Sequence, residues 1–154
     1  MVDGDCIREP KNLLVPIGTP VSDLIAACGG LCREPERMVF GGPMMGFAVW
    51  NAEEPITKGT SAVLLLSAAA TVAYTGEHDC IRCGRCVAAC PMHLLPNYIA
   101  SYTRLGQLAE AAEAGAMSCV ECGCCSYICP SAIPIVQYVR AAKDALRQKT
   151  QRGG

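Results

Sequence analysis

Apolar residues are spaced in two different ways on either side of residue 75. Before it they gather in short runs: Leu13-Leu14-Val15 ahead of Pro16, Arg37 to Phe40, Phe47 to Trp50, and Ser61 to Ser67 around Val63-Leu64-Leu65-Leu66. Runs of this length without helix caps predict strands over 11–16, 37–40, 47–50 and 61–67. The exception is Val21, Leu24, Ile25 and Cys28, which share one helical face. Thr19 is placed to cap that helix, Pro20 to open it and Gly29-Gly30 to end it. After residue 90 the spacing is three and four: Leu94, Leu95, Tyr98, Ile99, Tyr102 and Leu105, then Leu108, Ala111, Ala112 and Ala116. This predicts two helices broken near Gly106. Pro134 can open a last one, with Ile135, Val139, Ala142 and Leu146 as its stripe.

The pattern is α+β: a small strand-and-helix unit followed by a mainly helical one. Three short strands and one helix bury little apolar area, so the first unit looks incomplete. Between its strands lies Gly41-Gly42-Pro43-Met44-Met45-Gly46, where the backbone must turn sharply or be closely approached. The simpler expectation is a tight turn with both methionines plugging the core beneath; the alternative is an adaptable contact for a cofactor or a partner. Residues 51–60, with Glu53-Glu54-Pro55 and Lys58-Gly59-Thr60, suggest a polar connector. The domain division expected is 1–54, then 55–75 as a connector with one strand, then 76–154. The longest apolar stretch, Ala62 to Tyr74, is broken by Ser67 and Thr71 and falls short of the roughly 20 residues a spanning helix needs.

The second half carries the chemistry. Cys80, Cys83, Cys86 and Cys90 precede Pro91, and Cys119, Cys122, Cys125 and Cys129 precede Pro130, so each run has the form C-x2-C-x2-C-x3-C-P. Three thiolates at this spacing wrap one iron–sulfur cube, and the fourth, beside the proline, serves the other cube in two-cluster ferredoxins. On that rule Cys80, Cys83, Cys86 and Cys129 hold one [4Fe-4S] cluster, and Cys119, Cys122, Cys125 and Cys90 the second. Zinc would close on four ligands without a third cysteine at the same spacing and a following proline. A disulfide framework is set aside because the opening Met-Val-Asp-Gly-Asp is no export leader and cysteines two residues apart bridge poorly.

Charge and the other reactive residues add limits. Residues 1–75 carry a net −3 and residues 76–154 a net +2, within an overall −1. That balance argues against nucleic acid or an anionic membrane as a bulk electrostatic partner. An aromatic share of 5% argues against a base-stacking platform. No nucleotide-binding glycine loop is present, and no acid–base or nucleophilic constellation suggests a catalytic residue. Cys28 falls on the helix face as a core residue, Cys6 and Cys32 are structural or incidental, and Cys124 is a non-ligand beside Cys125. His78 and His93 are neighbours of the first run rather than ligands. Arg82 and Arg85 lie between the first ligands, while Glu121 stands where Arg82 would be in the second run, so the first cluster is expected to have the higher potential.

The chain resembles the C subunit of the Rnf electron-transport complex, the ion-translocating ferredoxin:NAD oxidoreductase of bacteria and some archaea. The likeness is carried by Pro-Ile-Gly-Thr-Pro-Val-Ser-Asp-Leu-Ile (16–25), Gly-Gly-Pro-Met-Met-Gly (41–46), Cys-Ile-Arg-Cys-Gly-Arg-Cys (80–86), Cys-Val-Glu-Cys-Gly (119–123) and Ile-Pro-Ile-Val-Gln-Tyr (133–138). It implies a partial soluble-ligand-binding β-grasp segment followed by a helical dicluster ferredoxin domain, with the same eight cysteines as ligands. It further implies single-electron relay between NADH or flavin and ferredoxin-side partners, in a complex peripheral to the inner face of the cell membrane. The FMN and NADH sites of the family belong to an upstream domain that this sequence does not contain, and no enzymatic residue here carries NADH oxidation. The competing expectations are a cobalamin-reductase-like electron carrier, and a docking module whose clusters are structural.

Overall fold

The computed structural model describes residues 1–71 and 76–152, which form two compact units. In the first, β1 (Val2–Asp3), β2 (Arg37–Phe40), β3 (Phe47–Val49) and β4 (Val63–Leu66) make one mixed sheet in the order β1-β4-β2-β3. β4 runs parallel to β1 and antiparallel to β2, with Val63 opposite Phe40 and Leu66 opposite Arg37. Its near-continuous apolar run fits an interior strand. Val63 and Leu65 are fully buried with Val2, Phe40 and the face of α1 (Val21–Ala27). That face is the expected one: Val21, Leu24 and Cys28 are buried and Ile25 packs against them. Cys28 is therefore a core residue.

Four local expectations change. Residues 11–16 form no strand; Lys11 makes one isolated bridge to Val2, and Leu14 is 103% exposed. The alternation is real, since Leu13 and Val15 pack on the core. However, β1 ends after two residues at Gly4, whose φ of 123° turns the chain and leaves no longer edge to pair with. A Cβ at Gly4 would lie 2.1 Å from the Leu65 carbonyl oxygen, so only glycine fits. Thr19 is not the cap: its hydroxyl donates to the Pro16 carbonyl, and the N-cap is Pro20. The first helical N–H groups, of Val21 and Ser22, donate instead to the carbonyls of Glu54 and Ala52. Residues 52–56 thus strap the helix, and with buried Ile56 and β4 they make the expected connector an integral part of the first unit. Met44 and Met45, finally, do not plug the core; they are 39% and 52% exposed.

Leu65, at the centre of this core, gives a direct test. Leu65→Ala should destabilise the first unit by about 3 kcal/mol through lost burial and a residual cavity. Hydrogen exchange at the Val39 and Leu64 amides, both in the ladder around it, should quicken accordingly.

The second unit is helical: α2 (Arg85–Ala88), α3 (Pro96–Arg104), α4 (Leu108–Glu113), a 3-10 turn at Ala116–Ser118, α5 (Cys124–Tyr127) and α6 (Ile135–Arg152). The break at Gly106, with φ 72°, is the expected one. Ile99 and Ala100 of α3, Ala111 of α4, Ala116, and Ile135, Val139 and Ala142 of α6 form its core. The predicted stripe over 94–105 is split. Leu95, Tyr98 and Leu105 are exposed, because α3 turns Pro96, Ile99 and Ala100 inward toward the cysteine loops.

Candidate metal centre

The second unit repeats itself at a spacing of thirty-nine residues: Cys80 matches Cys119, α2 matches α5, and the start of α3 matches the start of α6. The backbone repeats too. Arg82 and Glu121 have φ of 55° and 57°, Gly84 and Gly123 have 74° and 81°, and His93 and Ala132 have 53° and 50°. A left-handed residue other than glycine costs roughly 1–2 kcal/mol. Four of them at matching places give the two runs one and the same backbone shape, kept against that cost.

Each pair of loops encloses a cavity. The first is lined by Cys80, Cys83 and Cys86 from the first run and Cys129 from the second. The second is lined by Cys119, Cys122 and Cys125 from the second run and Cys90 from the first. Each cavity thus takes three cysteines from one run and the last cysteine of the other. Among the described residues, no three His, Cys, Asp or Glu side chains are grouped to hold one metal ion.

The donor set fits an iron–sulfur cube in other ways. The loop shape aims backbone N–H groups at sulfur, with Glu121 N donating to Cys119 Sγ at 3.3 Å and Leu94 N to Cys90 Sγ at 3.4 Å. Burial pushes the Cys125 thiol up to about 11 and raises that of Cys86. Such thiols stay protonated at neutral pH unless a metal displaces the proton. Ile99 and Val139 wall the second cavity and Ile135 the first, where they exclude water. The segment ahead of the first run is tied to the end of the second by His78 N donating to the Ser131 carbonyl and Ser131 Oγ donating to the Asp79 carbonyl, both at 2.9 Å.

The two sites differ. Cys80 and Cys83 are exposed, whereas Cys119, Cys122 and Cys90 are half-buried and Cys125 is buried. The expected charge asymmetry does not hold as a simple contrast of Arg82 with Glu121. The Glu121 carboxylate pairs with Lys143 at 2.7 Å and with Arg140 at 3.0 Å. The hydrogen bond from Lys143, above all, holds its carboxyl below the usual range. At the first cavity Arg104 pairs with Glu77 at 2.9 Å. Arg104 and Lys143 are themselves thirty-nine residues apart. The internal repeat was the signal that could have identified these cations from the sequence.

The remaining candidates lie outside both cavities. Cys124 is not among the second cavity's lining residues; its thiol is raised, chiefly by a hydrogen bond with Cys122. His78 and His93 line neither cavity. Cys6 is buried in the first unit's core, and Cys32, exposed, donates its N–H to the Cys6 carbonyl.

The SLBB domain family matches residues 1–48, and the 4Fe-4S dicluster domain family matches residues 76–133. The chain is 49% identical over 98% of its length to the C subunit of the ion-translocating oxidoreductase complex of Rhodobacter capsulatus, of which it covers 29%. It is 50% identical over 64% of its length to the C subunit of the proton-translocating ferredoxin:NAD(+) oxidoreductase complex of Clostridium ljungdahlii, and spans 21% of that protein. The matching C subunit of the Na(+)-translocating complex of Acetobacterium woodii is 41% identical over 66% of the chain, with 23% of it covered. The chain therefore spans less than a third of the length of these curated relatives.

Proposed function

Because the chain belongs, over the part it spans, to the family of Rnf C subunits, we propose that it relays single electrons through two [4Fe-4S] clusters in an ion-translocating complex. Cys80, Cys83, Cys86 and Cys129 hold the first cluster, and Cys119, Cys122, Cys125 and Cys90 the second. The observation that carries this reading is the gathering of three cysteines of one run with the last of the other around each cavity. Bound clusters supply one-electron chemistry at low potential. The chain's own residues do the rest: thiolates hold, backbone N–H groups at Cys119 and Cys90 stabilise sulfur charge, and the apolar walls keep water out.

The electrons run between NADH or flavin, handled elsewhere in the complex by an FMN-bearing domain, and ferredoxin-side partners. Among the described residues no helix is long and apolar enough to cross a membrane. The proposed seat is peripheral, on the cytoplasmic face, held by the other members of the complex.

Protein purified without oxygen should contain about eight iron and eight acid-labile sulfide per chain. It should also show two paramagnetic signals when reduced by dithionite. Zinc in place of iron, or iron without sulfide, refutes the proposal.

A further inference from the structure

Glu121 and Arg82 occupy the same place and the same left-handed backbone in the two runs, but their side chains have different surroundings. Arg82 is exposed at the rim of the first cavity. Glu121 reaches α6, where Lys143 Nζ lies 2.7 Å from Oε1 and Arg140 Nε lies 3.0 Å from Oε2. Lys143 is the unusual member, since its side chain is only 8% exposed. Its ammonium also donates to the Cys119 carbonyl at 2.5 Å. A buried ammonium costs several kcal/mol unless it is paired and hydrogen-bonded. Here one carboxylate and one cysteine carbonyl, both from the second run, provide the partners. The same contact anchors the first cysteine of that run to the long helix. With Arg140 included, the trio carries a net positive charge beside the second cavity, where the sequence suggests a negative one.

We propose that Lys143 is a positioning residue of the second site: with Glu121 it fixes the Cys119 backbone to α6 and keeps a buried positive charge there, which favours the reduced cluster. This rests on the iron–sulfur reading above. Reduction brings one electron from the donor and makes the site more negative by one charge, which a fixed ammonium nearby stabilises.

The test is a dithionite redox titration followed by paramagnetic resonance on the anaerobically purified chain, with the two signals assigned through Cys83→Ala and Cys122→Ala. Lys143→Met, which keeps the length and removes the charge, should lower the second midpoint and leave the first where it was. Lys143→Arg should restore it, a rescue that loss of packing alone would not give. Glu121→Gln removes the negative charge, keeps an amide oxygen to accept from Lys143 while the Cys119 carbonyl still does, and should move the second midpoint up. If Lys143→Met fails to keep a second cluster, the sign of the Glu121→Gln shift decides. A second midpoint unmoved in Lys143→Met, or unmoved or lowered in Glu121→Gln, overturns the inference while the iron–sulfur reading stands. Wild-type protein without acid-labile sulfide overturns both.

Discussion

Cys129→Ala should empty the first site and spare the second, although Cys129 belongs to the second run. Such a chain is expected to lose about four of about eight iron atoms, and the signal that survives should be the one abolished by Cys122→Ala. Cys90→Ala should do the reverse. The opposite outcome, with each run's last cysteine serving its own cluster, would remove the crossed assignment. The expectation follows from the geometry. Cys86 lies in the four-residue helix α2, and that turn carries Cys90 away from its own cavity into the lining of the other. Cys129 is carried across by α5 in the same way. Alanine is the substitution of choice because a serine alkoxide can still bind iron. The effect should be nearly all-or-none, since three thiolates leave one corner of the cube to water and oxygen. The exposed Cys80 and Cys83 make the first cluster the more vulnerable of the two once a ligand is lost.

The parts of this fold that were legible in the sequence are those decided by neighbours along the chain. The α1 face is set by Val21, Leu24 and Cys28 at helical spacing, and the glycine pair ends it at φ 76° and 83°. Within each run, spacing by three in a tight loop puts neighbouring cysteines along one cavity, Cys80, Cys83 and Cys86 along the first and Cys119, Cys122 and Cys125 along the second. Illegible parts depend on distant partners. β1 has two residues and pairs parallel to a strand some sixty positions on, so no periodicity marks it. Leu13 and Val15 alternate as a strand should, yet no free edge lies beside them to pair with. On α3 the sequence offers one apolar stripe, and its division, with Ile99 inward and Tyr98 and Leu105 outward, is made by the position of the cysteine loops. Lys143 reads as an ordinary solvated charge until Glu121 is found opposite it.

Removing the iron should unfold the second unit and leave the first unit's sheet protected. Four of its helices are short: α2 and α5 have four residues each, α4 six and α3 nine. All four are below the roughly 12–15 residues at which an isolated helix becomes even marginal. Their core is thin as well, with Ala100, Ala111, Ala116 and Ala142 among its buried members, so little hydrophobic area is gained by closing it. Against this stand the left-handed Arg82, His93, Glu121 and Ala132, each unfavourable by roughly 1–2 kcal/mol. Iron–thiolate bonds are the interactions that can offset that strain, which makes metal binding and folding one process. Oxidation with ferricyanide in the presence of EDTA under argon, which breaks up the clusters and takes away the iron, followed by hydrogen exchange, should erase protection at Ile99, Ala100 and Val139. Val39 and Leu64, in a sheet that owes nothing to metal, should keep theirs. Protection retained at Ile99 and Val139 in iron-free protein would mean that the loops hold their shape unaided. The strain would then have to be offset by the contacts already described: the Lys143–Glu121 pair, the Ser131 ties and the α3–α6 core.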